Sequence, residues 1–235
     1  MTAAGPSEAE LLQKLALGVD ALGLTVSEAQ QRQLLSYMAL IQKWNKVYNL
    51  TALRQPHEIL THHLLDSMSA IAPLLRHIAK TKGNADAELE LLDVGSGGGL
   101  PGVVIAVCCP RVRVTCVDTV SKKAAFVQQV AASLKLPNLQ GVHARVESLS
   151  GPFELICSRA FASLPDFVAW SVGALSDGGV WMAMKGKLPE EEMACLPAFT
   201  EVFHVEQLQV PGLDADRCMI WIKKSATLSD KASAT

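Results

Sequence analysis

The chain has 235 residues, of which 49% are hydrophobic, and its formal net charge is −2 at pH 7. This size fits one α/β domain with an extension, and the hydrophobic content is sufficient for a buried parallel sheet. Near-neutral charge argues against avid non-specific binding of nucleic acid, although it allows a local basic surface. The chain has no apolar run of about 18 residues and no signal-peptide pattern, so we expect a cytoplasmic protein that does not enter a membrane. The six cysteines show no metal-binding spacing, which predicts reduced thiols and no metal site.

Helices are predicted for the first 80 residues. Ser7 with Glu10, and Ser27 with Gln30, have the spacing of capping boxes ahead of leucine-rich helical patterns. A polar connector then precedes the first apolar strand. We predict three regions: an N-terminal helical extension over residues 1–80 that packs on the catalytic domain, an α/β catalytic domain over residues 89–224, and a disordered tail over residues 225–235.

A glycine-rich loop at residues 95–102 follows the predicted strand at residues 89–94 and leads into a buried helix that starts at Pro101. Such a unit brings bare backbone close to a nucleotide-like ligand, and the helix N-terminus adds hydrogen-bond donors. Two ligand-binding patterns match: Gly97-x-Gly99-x-x-Gly102 is the dinucleotide fingerprint, and Asp93-x-Gly95-x-Gly97-x-Gly99 is the pattern of class I S-adenosylmethionine (AdoMet) methyltransferases. A tight turn that only joins strand to helix is the third interpretation.

The position of Asp93 favours AdoMet over NAD. A carboxylate at the strand end would repel a pyrophosphate. AdoMet has no phosphate and carries a cationic sulfonium and an amino group, which Asp93 would attract directly or through water. We therefore predict cofactor contacts from Asp93, Gly95, Gly97 and Gly99.

Two later acids lie where a doubly wound sheet holds its ligand. Asp118 ends the second strand, predicted near residues 112–117, roughly 20 residues past the first glycine, where an acid accepts hydrogen bonds from ribose hydroxyls. Asp118 is also well placed to cap the helix that follows. Glu147, with the backbone of Val146, follows the third strand and would lie beside an adenine. The alternative for Glu147 is a solvated loop acid.

Strands alternate with helices as far as residue 185, and the pattern then changes. Further strands are predicted near residues 139–143, 153–158 and 179–185, and helices near 121–135 and 165–175, with a short helix after Pro189. Residues 201–210 and 217–223 are strand-like runs joined by a short connection, which favours an antiparallel pair. The predicted fold is α/β: a Rossmann-like, mostly parallel seven-stranded sheet with a C-terminal antiparallel hairpin, typical of class I AdoMet methyltransferases and not of the NAD fold.

Four short elements together resemble one particular family. Residues 43–51 resemble the W-N-x-x-Y-N-L-T element of the bacterial 16S rRNA guanine-N7 methyltransferases, also called the glucose-inhibited division protein B family, and residues 63–67 resemble that family's H-x-L-D-S element. Residues 97–102 and 158–164 complete the set, and Lys185-Gly186 also agrees. Gly98 stands where many relatives have proline, and His62 where arginine is common.

The resemblance implies methyl transfer from AdoMet to N7 of one guanine, guanine 527, in the decoding region of 16S rRNA. It implies 16S rRNA as the partner, in the 30S subunit or an assembly intermediate, and we expect a monomer. By the same resemblance, Gly95, Leu100, Val146, Glu147 and Arg159 contact the cofactor. Guanine N7 has an in-plane lone pair and no proton, so its attack on the methyl group needs no general base, and catalysis rests on alignment.

Arg159 is the strongest candidate site residue outside the glycine loop, because it follows a buried strand at the edge where such sheets bind ligands. We predict that it orients the reactants, by stacking on guanine, contacting a phosphate or holding the cofactor carboxylate. The alternative is a buried ion pair that only fixes the loop. His63 and Lys185 are candidate substrate-binding residues. The alternative for His63 is a hydrogen bond on the helix surface with Asp66, three residues away, and the alternative for Lys185 is a solvated strand end. The competing interpretations are a methyltransferase for a small molecule or a protein, an NAD(P)-dependent oxidoreductase, and a non-catalytic nucleotide-binding module.

Overall fold

The computed structural model describes residues 5–225 and contains one seven-stranded sheet with helices on both faces. The strand order is β3-β2-β1-β4-β5-β7-β6. The first five strands are parallel, whereas β7 runs antiparallel to β5 and to β6. The strands are β1 (Leu89–Val94), β2 (Val112–Asp118), β3 (Leu139–His143), β4 (Phe153–Arg159), β5 (Leu175–Lys185), β6 (Thr200–Gln207) and β7 (Cys218–Lys224). The predicted mixed α/β sheet with its antiparallel C-terminal pair is confirmed.

Nine α-helices surround the sheet in the described part of the chain. They are α1 (Glu8–Ala21), α2 (Glu28–Tyr48), α3 (Pro56–Ile59), α4 (Asp66–Met68), α5 (Ile71–Lys82), α6 (Gly102–Cys108), α7 (Ser121–Leu134), α8 (Leu164–Ser171) and α9 (Glu190–Ala194). A π-helical segment, Leu60–Leu65, joins α3 to α4. Both predicted capping boxes form, at Ser7 and at Ser27.

Apolar side chains on both faces of the strands hold the layers together. Leu91 and Leu92 are fully buried neighbours on β1 that belong to different hydrophobic clusters, one on each face of the sheet. This alternation is the period-2 geometry of a strand that is covered on both sides. The larger cluster contains side chains from α1, α2 and the 59–78 segment as well as from the strands.

Helix α2 packs directly against the glycine loop and its helix. Tyr37 is fully buried, stacks on Phe126 with ring centroids 6.3 Å apart, and donates a 2.5 Å hydrogen bond from its hydroxyl to the Gly98 carbonyl. Gln30 Nε2 donates to the Val107 carbonyl at 2.8 Å. The N-terminal helices therefore share a core with the sheet, and the division at residues 80 and 89 stays a prediction.

Several boundaries differ from the predicted ones, among them the end of β6, at Gln207 rather than near residue 210. Helix α6 begins at Gly102 rather than at Pro101, which follows a cis peptide bond. Strand β5 begins at Leu175 rather than near residue 179, because its pairing with β4 is irregular at the start and passes through Gly178, at φ +74°. Glycines at such an irregularity hide the strand from pattern recognition. Helix α8 ends at Ser171 rather than near residue 175. The tail predicted over residues 225–235 lies outside the described residues apart from Ser225.

Candidate active site

Three adjoining cavities form one crevice along the carboxyl edge of the parallel strands. The first cavity, about 430 Å³, lies at the ends of β1 and β2 and beside the segment after β3. The second, about 140 Å³, lies between the glycine loop and the N-terminal helical region, and the third, about 360 Å³, lies beyond it towards β5 and β7. Gly95 and Ala160 line both the first and the second cavity, and His63 and Arg159 line both the second and the third. A ligand can therefore extend from one cavity into the next.

The backbone of the glycine loop needs glycine at three positions. Gly95, Gly97 and Gly99 have φ values of +65°, +56° and +86°, in the left-handed region. A Cβ on Gly95 would lie 2.1 Å from the ring of Phe161, and one on Gly99 would lie 2.5 Å from Val103. Gly95 and Gly97 line cavities, whereas Gly99 turns towards the core. Leu100 also lines the second cavity, and its contact with the cofactor stays a prediction.

Asp93 lies beneath the loop rather than in the crevice. Its side chain is fully buried, and Oδ2 accepts a 2.8 Å hydrogen bond from the backbone N–H of Gly102 at the start of α6. Burial raises the pKa of Asp93 to about 7, against the opposing effect of the Gly102 hydrogen bond. Asp93 lines none of the three cavities, so the structure gives it a supporting position behind the glycine loop.

Asp118 faces the first cavity from the end of β2. Oδ2 accepts a 3.0 Å hydrogen bond from Gly97 N–H, and Oδ1 accepts a 2.8 Å hydrogen bond from Val120 N–H. The carboxylate thus ties the glycine loop to the start of α7 while remaining at the cavity wall. Val146 and Glu147, in a short 3-10 turn after β3, line the same cavity, and Glu147 is exposed.

Arg159 is held by a buried carboxylate that it shares with a second arginine. Arg159 Nη1 donates to Asp66 Oδ2 at 2.6 Å and to the His62 carbonyl at 2.9 Å. Arg217 Nε donates to the other oxygen, Asp66 Oδ1, also at 2.6 Å. The Asp66 side chain is only 4% exposed, so both cations are fixed to one desolvated anion. Arg159 is therefore oriented before any ligand arrives.

His63 joins Arg159 to Thr51 across the second cavity. Arg159 Nη2 lies 3.3 Å from His63 Nδ1, and His63 Nε2 lies 2.7 Å from the Thr51 hydroxyl. Burial, followed by the neighbouring Arg159 cation, lowers the pKa of His63 to about 4. His63 is therefore a neutral imidazole near pH 7. The structure brings His63 next to Arg159, a contact that the spacing of the two residues in the sequence did not predict.

Lys185 lines the third cavity but already has protein partners. Its Nζ donates to Glu192 Oε2 at 2.8 Å and to the Ala162 carbonyl at 3.1 Å. Lys185 stands at the end of β5, where the antiparallel strand β7 places Cys218 opposite it and Arg217 next to it along the chain. Three basic side chains therefore line this cavity: Arg159 at the end of β4, Lys185 at the end of β5 and Arg217 just before β7. The Asp66 carboxylate, which pairs with Arg159 and Arg217, lines it as well.

Sequence reasoning missed several residues of the crevice. Arg217 and Thr51 were not chosen as site residues, and neither were Phe161 and Trp170, which line the first cavity. The signal for Arg217 is its place just before β7, because a strand antiparallel to β5 begins where β5 ends. Trp170 is 40% exposed on α8, and no local pattern separates it from an ordinary surface tryptophan.

The described residues, 5–225, lack two kinds of feature. They contain no group of three or more His, Cys, Asp or Glu side chains that could hold a metal ion. No helix among them is long and apolar enough to cross a membrane.

The sheet order, the glycine loop and the crevice at the carboxyl edge define a class I AdoMet-dependent methyltransferase. The fold is similar to the crystal structure of the N-methyltransferase NodS from Bradyrhizobium japonicum in complex with S-adenosyl-L-homocysteine, with a TM-score of 0.55, 14% identity, and coverage of 78% of this chain and 98% of that one. Residues 30–220 match the family model described as rRNA small subunit methyltransferase G. The chain belongs to this family, the GidB family.

Curated relatives agree along most of the chain. The ribosomal RNA small subunit methyltransferase G of a Polaromonas species is 64% identical over 91% of this chain and 94% of its own length. The protein of the same name from Paracidovorax citrulli is 63% identical over 89% of this chain and 88% of its own length. The family predicted from the short elements at residues 43–51, 63–67, 97–102 and 158–164 is confirmed.

Proposed function

We propose that this protein transfers the methyl group of AdoMet to N7 of one guanine of 16S rRNA, guanine 527. The observation that carries the proposal is the single crevice that joins a nucleoside-sized cavity at Asp118 to a basic cavity around Arg159. Membership of the small subunit methyltransferase G family supports the choice of rRNA over a small molecule or a protein. AdoMet supplies an activated methyl group when bound.

The first two cavities fit AdoMet. We assign the adenosine to the first cavity, where Asp118 retains accepting capacity for ribose hydroxyls and Val146 and Glu147 lie beside the place of the base. Gly95, at the junction of the two cavities, has no side chain to block a ligand that continues towards Leu100. The methionine part then lies in the second cavity.

The third cavity fits the acceptor guanine. It opens from Arg159 and His63 towards Lys185 and Arg217, so a base inserted there meets donors, and its phosphates meet cations. Arg159 lines both the second and the third cavity, so it lies next to the places assigned to both reactants. We assign it the role of orienting guanine and cofactor, with no general base, because N7 carries no proton.

The cations of the third cavity support local recognition of RNA, since the whole chain carries a formal charge of only −2. We propose that the substrate is 16S rRNA in the 30S subunit or in an assembly intermediate. We also propose that the protein acts in the cytoplasm as a monomer and without a metal ion.

Mapping of N7-methylguanosine in 16S rRNA from cells with and without the gene tests the function. We expect deletion to remove one site, and wild type but not Arg159→Ala to restore it. Arg32→Ala is the matched control, because Arg32 is an exposed arginine on α2 whose side chain pairs with Glu28. An unchanged methylation profile would contradict the rRNA assignment, and purified protein that still bound AdoMet would then have a small-molecule or protein acceptor.

A further inference from the structure

The second cavity is lined by hydrogen-bond donors that have no acceptor in the described part of the chain. The Gly98 N–H lies in the glycine loop and has no acceptor among residues 5–225, unlike the N–H groups of Gly97, Gly99 and Leu100. Arg159 adds a permanent cation to the same wall. A cavity with this lining favours an anion.

The hydrogen-bond chain through His63 decides which way the Thr51 hydroxyl points. A guanidinium nitrogen only donates, so the contact from Arg159 Nη2 requires a lone pair on His63 Nδ1. A neutral imidazole with a lone pair on Nδ1 carries its hydrogen on Nε2, and His63 Nε2 then donates to Thr51 Oγ1 at 2.7 Å. Thr51 Oγ1 also accepts from Leu53 N–H at 3.2 Å.

With both accepting positions of its oxygen occupied, Thr51 keeps its own hydroxyl hydrogen for another partner. No acceptor for that hydrogen lies among residues 5–225. In the opposite tautomer of His63, Nδ1 would donate to the His62 carbonyl, at 3.1 Å. The Thr51 hydroxyl would then donate its hydrogen to His63 Nε2 and have none left for a ligand. In that tautomer the Nδ1–H of His63 would face the Nη2–H of Arg159, two donors with no acceptor between them. We therefore assign the tautomer of His63 that carries its hydrogen on Nε2.

We propose that the Thr51 hydroxyl, together with the Gly98 N–H, binds the carboxylate of the methionine part of AdoMet. The inference rests on the proposed function and assigns a residue to its cofactor site. The carboxylate is the one anionic group of AdoMet, and the second cavity connects through Gly95 to the cavity assigned to adenosine. His63 is then a positioning residue, which sets the direction of the Thr51 hydroxyl and does not itself touch the cofactor carboxylate.

Calorimetric titration of Thr51→Val and Thr51→Ser with two ligands tests the proposal. The ligands are AdoMet and decarboxylated AdoMet, which keeps the adenosine, the sulfonium and the amino group. We expect Thr51→Val to weaken AdoMet about ten-fold and to leave the binding of decarboxylated AdoMet unchanged, because only the former loses a charge-assisted hydrogen bond. Thr51→Ser keeps the hydroxyl and is expected to bind both ligands like wild type.

Each other outcome overturns a distinct statement. Equal losses for the two ligands would mean that Thr51 acts only through the loop at Leu53, and no loss with either would mean that its hydroxyl meets no cofactor group. Unchanged AdoMet binding with a raised KM for 30S subunits would assign the donors to an RNA phosphate. Wild type that binds neither ligand would contradict the proposed function itself.

The imidazole tautomer provides a second readout that does not depend on ligand binding. In ¹⁵N spectra of the free protein we expect His63 to carry its hydrogen on Nε2 near neutral pH. A hydrogen on Nδ1 would mean that Thr51 donates to His63, and the inference would fail.

Discussion

Asp93 and Asp118 lie at the carboxyl ends of neighbouring parallel strands, as the last residue but one of β1 and the last residue of β2, yet only Asp118 reaches the crevice. The register explains the difference, because Asp93 pairs with Cys116, so that Asp118 extends two residues further towards the carboxyl edge. Asp118 binds Gly97 and Val120 from the cavity wall, whereas Asp93 binds Gly102 from inside the core. Two acids at strand ends that look alike in the sequence can thus have different positions. One faces the ligand cavity, and the other supports the glycine loop from behind.

Burial also affects the charge of Asp93. Asp93 Oδ1 is buried and has no hydrogen-bond partner in the described residues, and desolvation raises the pKa of Asp93 to about 7. A carboxyl group that is half neutral near physiological pH attracts a sulfonium cation weakly. The predicted contact of Asp93 with the cofactor stays a prediction, and the position of Asp93 favours support of the loop.

The largest effect that we expect is the pH dependence of stability at Asp93. Its pKa is raised from 3.8 unfolded to about 7 folded, so the stability that its protonated form contributes is present below about pH 4 and is lost as the pH rises to about 7. Asp93→Asn removes this titration and keeps an oxygen for Gly102 N–H. The free energy of unfolding of wild type minus that of the variant should fall by on the order of 4 kcal/mol over this range.

Urea unfolding between pH 4 and pH 8 measures that difference. His63, whose pKa is lowered to about 4 by burial, contributes the opposite slope, but it is present in both proteins and cancels. Asp118→Asn is the matched control at the neighbouring strand end. A difference that does not change with pH would show that Asp93 is ionised in the fold, and the comparison of the two acids would lose its basis.

A second, smaller effect is expected in cofactor affinity at Asp118. Asp118→Ala removes the acceptor of Gly97 N–H and Val120 N–H as well as the acceptor proposed for the ribose. We expect AdoMet to bind about 30-fold more weakly, equivalent to about 2 kcal/mol, by calorimetric titration. Asp93→Asn should change this affinity much less, and the reverse order would assign the cofactor contact to Asp93.

A third prediction concerns the helix that supports the loop from the other side. Tyr37→Phe leaves the Gly98 carbonyl without its buried donor, at a cost of about 1 kcal/mol. We expect about five-fold weaker AdoMet binding and faster hydrogen exchange in residues 95–99. Tyr48→Phe is the control, since Tyr48 is an exposed tyrosine on the same helix. Equal behaviour of the two variants would mean that α2 does not hold the loop.

Local features of the sequence predicted the fold well, and long-range features limited the prediction of the site. The capping boxes at Ser7 and Ser27 join residues three apart, so the sequence alone contains all of their partners. Asp66 forms ion pairs with Arg159 and Arg217, which lie 93 and 151 positions further along the chain. No spacing rule connects residues so far apart. Only the strand order and register bring them together.

The same limit explains the two acids. Asp93 was predicted as a cofactor contact because it stands at a strand end and begins the glycine pattern of AdoMet methyltransferases. Asp118 was predicted because it ends the next strand, roughly 20 residues past the first glycine. Whether such an acid faces a cavity or the core depends on how far its strand extends relative to its neighbours, and therefore on pairing between β1 and β2. That pairing is a property of the folded sheet, which the order of residues along one strand does not contain.

The smallest expected effect tests whether charge around Asp118 matters beyond its hydrogen bonds. Lys123 Nζ lies 3.8 Å from Asp118 Oδ2 and its side chain is 35% exposed, so water and salt screen the pair. We expect Lys123→Met to change AdoMet affinity less than about three-fold, and less still at high salt. Lys122→Met, next to it and 5.2 Å from the Tyr48 ring centroid, is the control. A loss as large as that of Asp118→Ala would mean that the lysine, and not the two backbone N–H groups, keeps Asp118 in position for the cofactor.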